Sequence, residues 1–217
     1  MQPAPANTTR TTEDARQSRD EIIRAAAEVF MEFGYAASTI DAVAERLGAT
    51  KGRIYHYYRS KAELYFDVQI AAMELLLAEI EPLARSDGTP AERLRRMALR
   101  HTEILMIDSA TQKVAVQGLE RNLLAAEAAR HVKTLRQIVR MRDEYEQLFA
   151  EVIDAGIRSG AFVDLPPRLA TKPLFGTLNW VTVWFTPRKL QRREDLTAIA
   201  TTLTDYAMRG ILKEPVS

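Results

Sequence analysis

The stretch IDAVAERLGATKGRIYHYY, residues 40–58, decides the fold. Ile40, Val43, Ala44 and Leu47 share one helical face, and Gly48 ends that helix as a C-cap. A second short helix follows from about Thr50 to Tyr58, with Ile54 turned back toward the first. Ala44 is small where the two helices would cross. Two short amphipathic helices joined by a tight glycine turn suit a helix-turn-helix, whose second helix enters the DNA major groove with its N-terminal residues leading.

Local charge agrees with that pattern. Between Glu45 and Glu63 the chain carries no acid, but it carries Arg46, Lys51, Arg53, Arg59 and Lys61. Tyr55, His56, Tyr57 and Tyr58 are interleaved with them. The cations suit phosphates, and phenol hydroxyls can donate to phosphate oxygens. Ser60 and Lys61 open a long fourth helix, whose positive dipole end also suits a phosphate. A solvated basic face on a small bundle is the competing account. The helix-turn-helix spacing outweighs it except at Tyr58, whose distance from Ile54 favours the core.

Working outward, a first helix is expected from Ser18, with Ile22, Ala26, Val29, Phe30 and Phe33 inward and Gly34 at its end. Residues 1–17, rich in small, polar and Pro residues, are expected to be a flexible tail. Ser38 or Thr39 caps the second helix, and Ser60 with Glu63 resembles a capping box opening the fourth, which runs toward Leu83. A break follows at Arg85–Pro90, then a fifth helix over Ala91–Ile107. Two or three more span Thr111–Ser159, including a long one from Val132, and a last pair covers roughly Pro167–Phe185 and Arg193–Leu212. Strand alternation is absent, so the expected fold is all-α, with about nine helices. It divides into a helix-turn-helix unit over residues 18–64 and a helical ligand-binding and dimerisation unit over 65–217.

Composition sets the limits. The chain has 217 residues, 47% apolar and 27% charged, enough to bury a core without metals or disulfides. It has no Cys, which excludes thiol catalysis and Cys-ligated zinc and fits a cytoplasmic location. The net charge of only +1 means that any affinity for DNA must rest on local charge. No apolar run reaches the ~18 residues of a membrane span, and the N-terminus lacks the apolar stretch of a signal peptide. There is no Gly-rich phosphate loop, HExxH or nucleophile elbow, and the three histidines lack metal-ligand spacing. Neither an enzyme nor a bound cofactor or metal is expected.

The C-terminal helices carry two further signals. Leu174, Phe175, Leu178, Trp180, Val181, Val183, Trp184 and Phe185 surround most of one helix, which must be buried on more than one side. The last helix has a stripe of Leu196, Ile199, Leu203, Tyr206 or Ala207, and Ile211. Packing this pair on its copy would make an isologous four-helix interface of a homodimer. Pro173 is expected in the first turn of its helix. Within otherwise apolar stripes, His101 and Arg142 should point inward. His101 is either a satisfied core histidine or a ligand contact. Arg142 needs an anion, either an acidic side chain such as Glu120 or a ligand.

FGYAASTIDAVAERLGATKGRIYHYYRSKAELY resembles the N-terminal domain of TetR-family regulators. The matching positions are Gly34, Tyr35, Thr39, Ile40, Ala44, Gly48, Gly52, Ile54, Tyr55, Ser60, Lys61, Glu63 and Leu64, with Tyr57 departing from the usual His. The resemblance implies that Thr39, Tyr55 and Lys61 hold the DNA backbone and that Lys51, Gly52 and Arg53 lie at the groove. Thr50, His56 and Tyr57 complete the expected contact set. RDEYEQLFAEVIDAGIRSGAFVD and GTLNWVTVWFTP resemble a TetR subgroup that responds to acyl-coenzyme A thioesters, although Val183 and Thr186 replace arginines common there. What this implies is a repressor of a double-stranded palindromic operator, released by a small effector of that class. The expected effector contacts are His101, Arg142, Tyr145, Asn179, Trp180 and Trp184. A multidrug-type regulator and a DNA-binding dimer without inducer are the alternatives.

Overall fold

The computed structural model describes residues 8–117 and 130–213. Among these it contains ten helices: α1 (Thr8–Ala37), α2 (Ile40–Leu47), α3 (Lys51–Tyr55), α4 (Lys61–Ala84), α5 (Pro90–Ile107), α6 (Ser109–Gln117), α7 (Val132–Arg158), α8 (Pro167–Asn179), α9 (Val181–Trp184) and α10 (Arg193–Arg209). The fold is all-α, as expected. Its extended pairing among the described residues is a single bridge between Phe162 and Leu212, which ties the turn after α7 to the chain leaving α10.

Helix α1 begins ten residues earlier than the composition suggested. No Gly or Pro interrupts the chain between Asn7 and Gly34, so nothing stops the helix from extending through this polar stretch. Gly34 breaks it as expected, with φ +71°. Thr39, not Ser38, caps α2 by accepting from the Ala42 N–H. The Ser38 hydroxyl instead donates to the Gly34 and Val29 carbonyls. Gly48 takes the left-handed conformation, φ +64°, that closes α2.

Helix α4 runs through the two largest clusters of buried side chains. Ile22, Ala26, Val29 and Phe30 of α1 pack with Val43, Ala44, Ile54 and Tyr58, joined by Leu64 and Val68 from the start of α4. Further along α4, Met73, Leu76 and Ile80 join Leu94, Met97, Phe149, Val152 and Leu178 in the larger cluster. Helix α6 bridges the two: Val114 lies in the first core, and α6 packs on both α1 and α4.

Three C-terminal expectations change. The helix that was to run from Pro167 to Phe185 ends at Asn179, and a separate turn, α9, follows. Pro173 lies inside α8, while Pro167 occupies the first turn. The stripe on α10 faces its own subunit: Leu196, Ile199 and Leu203 pack beside Leu105, Met106 and Val181.

Candidate functional site

The outer face of α2 and α3 carries most of the expected DNA contacts. Thr39, Thr50, Lys51, Gly52, Tyr55 and His56 are exposed, while Arg53, Tyr57 and Lys61 are half-buried. Thr50 begins α3 without a side-chain cap bond. Gly52 is not required by the fold. A Cβ there would meet only Thr50 Oγ1, at an ordinary 3.8 Å. His56 and Tyr57 stack edge to face, ring centroids 5.1 Å apart. Tyr58 is buried, as its spacing indicated, and donates to Asp67 at 2.6 Å. Burial, and then that bond, push its phenol pKa well up.

Three of the expected cations are engaged within the chain. Lys51 pairs with Asp41. The Arg53 guanidinium turns back on α1, donating to Ser18 Oγ at 2.8 Å and Glu21 at 2.6 Å. The Lys61 ammonium donates to the carbonyls of Tyr35 and Ser38, both at 2.7 Å, and of Ala36 at 3.3 Å, and lies over the Tyr35 ring. It fastens the chain between α1 and α2, and burial lowers its pKa. Arg53 and Lys61 therefore reach DNA only by exchanging these partners.

Sequence reasoning missed the tie between α1 and α4. Arg19 donates twice to the Asp67 carboxylate, at 2.9 and 2.5 Å, and Tyr58 joins the same group. Arg19 lies 48 residues from Asp67 and the three share no motif, so only the assembled fold brings them together.

Toward the C-terminal half, α4, α5, α6, α7 and α8 line a half-open cavity of about 290 Å³. Its walls include Met73, His101, Gln112, Arg142, Tyr145, Phe175 and Asn179, with Glu146 and Lys172 among the polar groups. Four of the six expected effector contacts meet here. His101 is fully enclosed: Nδ1 lies 2.7 Å from the Tyr145 hydroxyl and Nε2 lies 2.9 Å from Asn179 Oδ1. Because the Asn oxygen only accepts, Nε2 carries the proton and Nδ1 accepts from Tyr145. Burial pushes the His101 pKa down to about 4.

Arg142 reaches the Ala115 carbonyl at 2.6 Å and Gln69 Oε1 at 3.4 Å. Burial lowers its pKa, and among the described residues no carboxylate is paired with it. Glu120, the expected alternative partner, lies outside the described residues. Lys172 and Glu146 pair at 2.6 Å. For Glu146, burial works to raise the pKa, but the bonds from Lys172 and Thr171 overcome it and leave the carboxyl below its usual value.

Trp180 and Trp184 do not belong to this cavity. Trp180 is 61% exposed and Trp184 48%. Lys172, Phe175 and Asn179 recur at helical spacing on the cavity side of α8. Leu169, Pro173, Gly176 and Trp180 recur on the other side, and all four are exposed. Ala198, Thr202 and Tyr206 form a similar exposed row on α10.

A helix-turn-helix on a helical body with a half-open, largely apolar cavity carrying a few polar groups defines a DNA-binding transcriptional regulator. Residues 22–68 match the family described as bacterial regulatory proteins, tetR family, and residues 87–211 match the tetracyclin repressor-like C-terminal domain. The chain belongs to the TetR family. It is similar to the HTH-type transcriptional repressor KstR2 of Rhodococcus jostii strain RHA1, 28% identical over 190 residues, covering 86% of this chain and 87% of the relative. It is also similar to the fatty acid metabolism regulator protein of Bacillus subtilis strain 168, 25% identical over 193 residues, 88% of this chain and 94% of the relative. The solved structure of AibR in complex with isovaleryl coenzyme A and operator DNA shares the fold. Its TM-score is 0.66 at 18% identity, over 86% of this chain and 98% of AibR. No helix among the described residues is long and apolar enough to cross a membrane.

Proposed function

We propose that the protein is a cytoplasmic homodimeric repressor of a palindromic operator, released when an apolar effector with an anionic group enters the cavity. An acyl-coenzyme A thioester is the favoured class. The observation that carries this reading is the double role of α6. Val114 packs in the core beneath the helix-turn-helix, while Gln112, Ala115 and Val116 line the cavity. A ligand that moves α6 therefore moves the support of the DNA-reading helices. The long α4 offers a second route, since its first turns lie in that core and Met73 and Leu76 line the cavity.

Within the cavity, Arg142 meets the anionic or carbonyl end of the effector, and Met73, Leu76 and Phe175 surround its apolar part. The volume lies at the small end of ligand sites, roughly 300–1,000 Å³, so it accommodates a short acyl or ring portion while a nucleotide portion stays outside. Exposed Lys172 marks the mouth. The name of the Bacillus subtilis relative, a fatty acid metabolism regulator, and the isovaleryl coenzyme A in the AibR complex lend support to the same class.

On the DNA side, Thr39, Tyr55, His56 and Tyr57 hold phosphates, and Thr50, Lys51 and Gly52 lie at the groove. Arg53 and Lys61 join after leaving their internal partners. The unit boundary is placed within α4, after residue 64. No catalytic residue, cofactor or metal takes part.

The test is a panel of acyl-coenzyme A esters, free acids and neutral analogues, scored by release of operator DNA. Thioesters or acids should release it, and Arg142→Ala should abolish that response. Equal release by neutral hydrophobic compounds would replace this reading with a multidrug-type regulator.

A further inference from the structure

Tyr145, His101 and Asn179 form one directed chain of hydrogen bonds. The Tyr145 hydroxyl belongs to a buried side chain, and its partner among the described residues is His101 Nδ1, at 2.7 Å. A buried hydroxyl proton needs an acceptor, so Tyr145 donates and Nδ1 accepts. The imidazole proton then sits on Nε2, 2.9 Å from Asn179, and the amide must answer with its oxygen. Burial pushes the His101 pKa down to about 4, so the neutral ring does not offer protons on both sides. The orientation of the Asn179 amide is thus fixed from the core outward.

The other branch of that amide is open. No acceptor bonds Asn179 Nδ2 among the described residues, where the side-chain atoms both unpaired and sealed from solvent belong to Arg93, Gln112 and Thr204. The Asn179 nitrogen is therefore unpaired but accessible, on a half-buried residue that lines the cavity beside Phe175. The two branches of a planar amide diverge, so the branch turned from the enclosed His101 is the one a ligand reaches.

We infer that the effector carries a carbonyl oxygen that accepts from Asn179 Nδ2, with Tyr145 and His101 as positioning residues that hold the amide donor-outward. This rests on the reading of the cavity as the effector site. It gives the carbonyl to α8 and leaves Arg142, on α7, for the anionic group. An amide at liberty to turn over would serve a donor or an acceptor alike, whereas this one has its oxygen committed. An effector with a methylene in place of the carbonyl strips water from Nδ2 and returns no acceptor. The cavity thus selects an acyl compound over the corresponding ether or thioether.

The experiment is calorimetric titration of the full-length protein with matched coenzyme A thioesters and thioethers: butanoyl, hexanoyl and octanoyl against S-butyl, S-hexyl and S-octyl. In the pairs that bind, the thioester should bind roughly three- to tenfold more tightly. In Asn179→Leu, close in shape but without a donor, that difference should vanish while the thioether's affinity stays. In Tyr145→Phe, which releases the His101 tautomer and with it the amide, the preference should shrink. The carbonyl itself reports the bond: the infrared stretch of a carbon-13-labelled thioester should move to lower frequency on binding wild type, but not on binding Asn179→Leu. A merely structural role for Asn179 would leave that shift in place. Equal affinity within the pairs in the wild-type protein overturns the inference and leaves the effector site standing. A preference and an infrared shift that persist in Asn179→Leu assign the carbonyl to Arg142 and also overturn it. If neither thioesters nor thioethers bind, the effector-site reading fails and takes the inference with it. Should Asn179→Leu not fold, Tyr145→Phe decides, and a preference there as large as in wild type overturns it.

Discussion

Gly52 shows how a single residue separates folding from binding. Its backbone is not left-handed, and a Cβ there meets only the Thr50 hydroxyl at an ordinary distance. Alanine should therefore fold as well as glycine and stabilise the helix, by up to about 1 kcal/mol. What the methyl obstructs is a close approach from outside. Gly52→Ala should keep or raise the melting temperature while weakening operator binding; unchanged affinity would remove α3 from the groove. His101 makes the opposite case, a polar residue enclosed by the fold. In the unfolded chain it titrates near 6.5, and in the folded one burial pushes it down to about 4. Between these values the unfolded state binds more protons, so stability rises with pH through this window and is lost as pH falls through it. The full effect is roughly 3 kcal/mol. Denaturant titrations at pH 5 and 7.5 should show that His101→Gln has a smaller pH dependence than wild type. Identical dependence would mean that His101 titrates alike in the folded and unfolded chain.

At the scale of elements, most of the helices could be read from the sequence because their signals are local. The Gly34 and Gly48 stops, the caps at Thr39 and Ser60, and the apolar spacing of α5 and α7 all lie within a few residues of what they control. The C-terminal errors share one cause: burial around a helix depends on neighbours that the chain does not name. Trp180 and Asn179 are adjacent, yet one faces outward and the other faces the cavity. The α10 stripe was correctly apolar, but it packs on α5 of its own subunit. One close approach is sharply testable. A Cβ on Gly156 of α7 would fall inside the ring of Phe162, which is buried in the turn that follows. Gly156→Ala should therefore cost about 1–3 kcal/mol despite its better helix propensity. Chemical denaturation gives the number, and a stabilised variant would show that the turn can move aside freely.

For the whole molecule, the exposed faces of α8 and α10 pose the question of what covers them. Leu169, Trp180, Val183, Trp184 and Tyr206 are all exposed large side chains on these helices or on α9. The homodimer proposed above buries them against a second copy. Trp180 is mostly exposed, so Trp180→Asp should disturb the subunit's own packing little and give soluble, folded monomers by light scattering, with weakened operator binding. Leu203 is half-buried within its own subunit, and its replacement would test folding instead. A Trp180→Asp dimer of unchanged stability would move the interface elsewhere.

The central claim is that the outer face of α2 and α3 reads DNA as two symmetry-related copies. Selection of bound duplexes from a random-sequence pool tests it most directly, with wild-type protein and a Lys51→Ala/Tyr55→Ala variant side by side. The account predicts an inverted repeat enriched by the wild type, with half-site centres one helical turn, ~34–36 Å, apart or a multiple of it. It also predicts that the double variant, with an unchanged melting temperature, enriches nothing. Enrichment of the same repeat by both proteins, or of no repeat by the wild type, would contradict it.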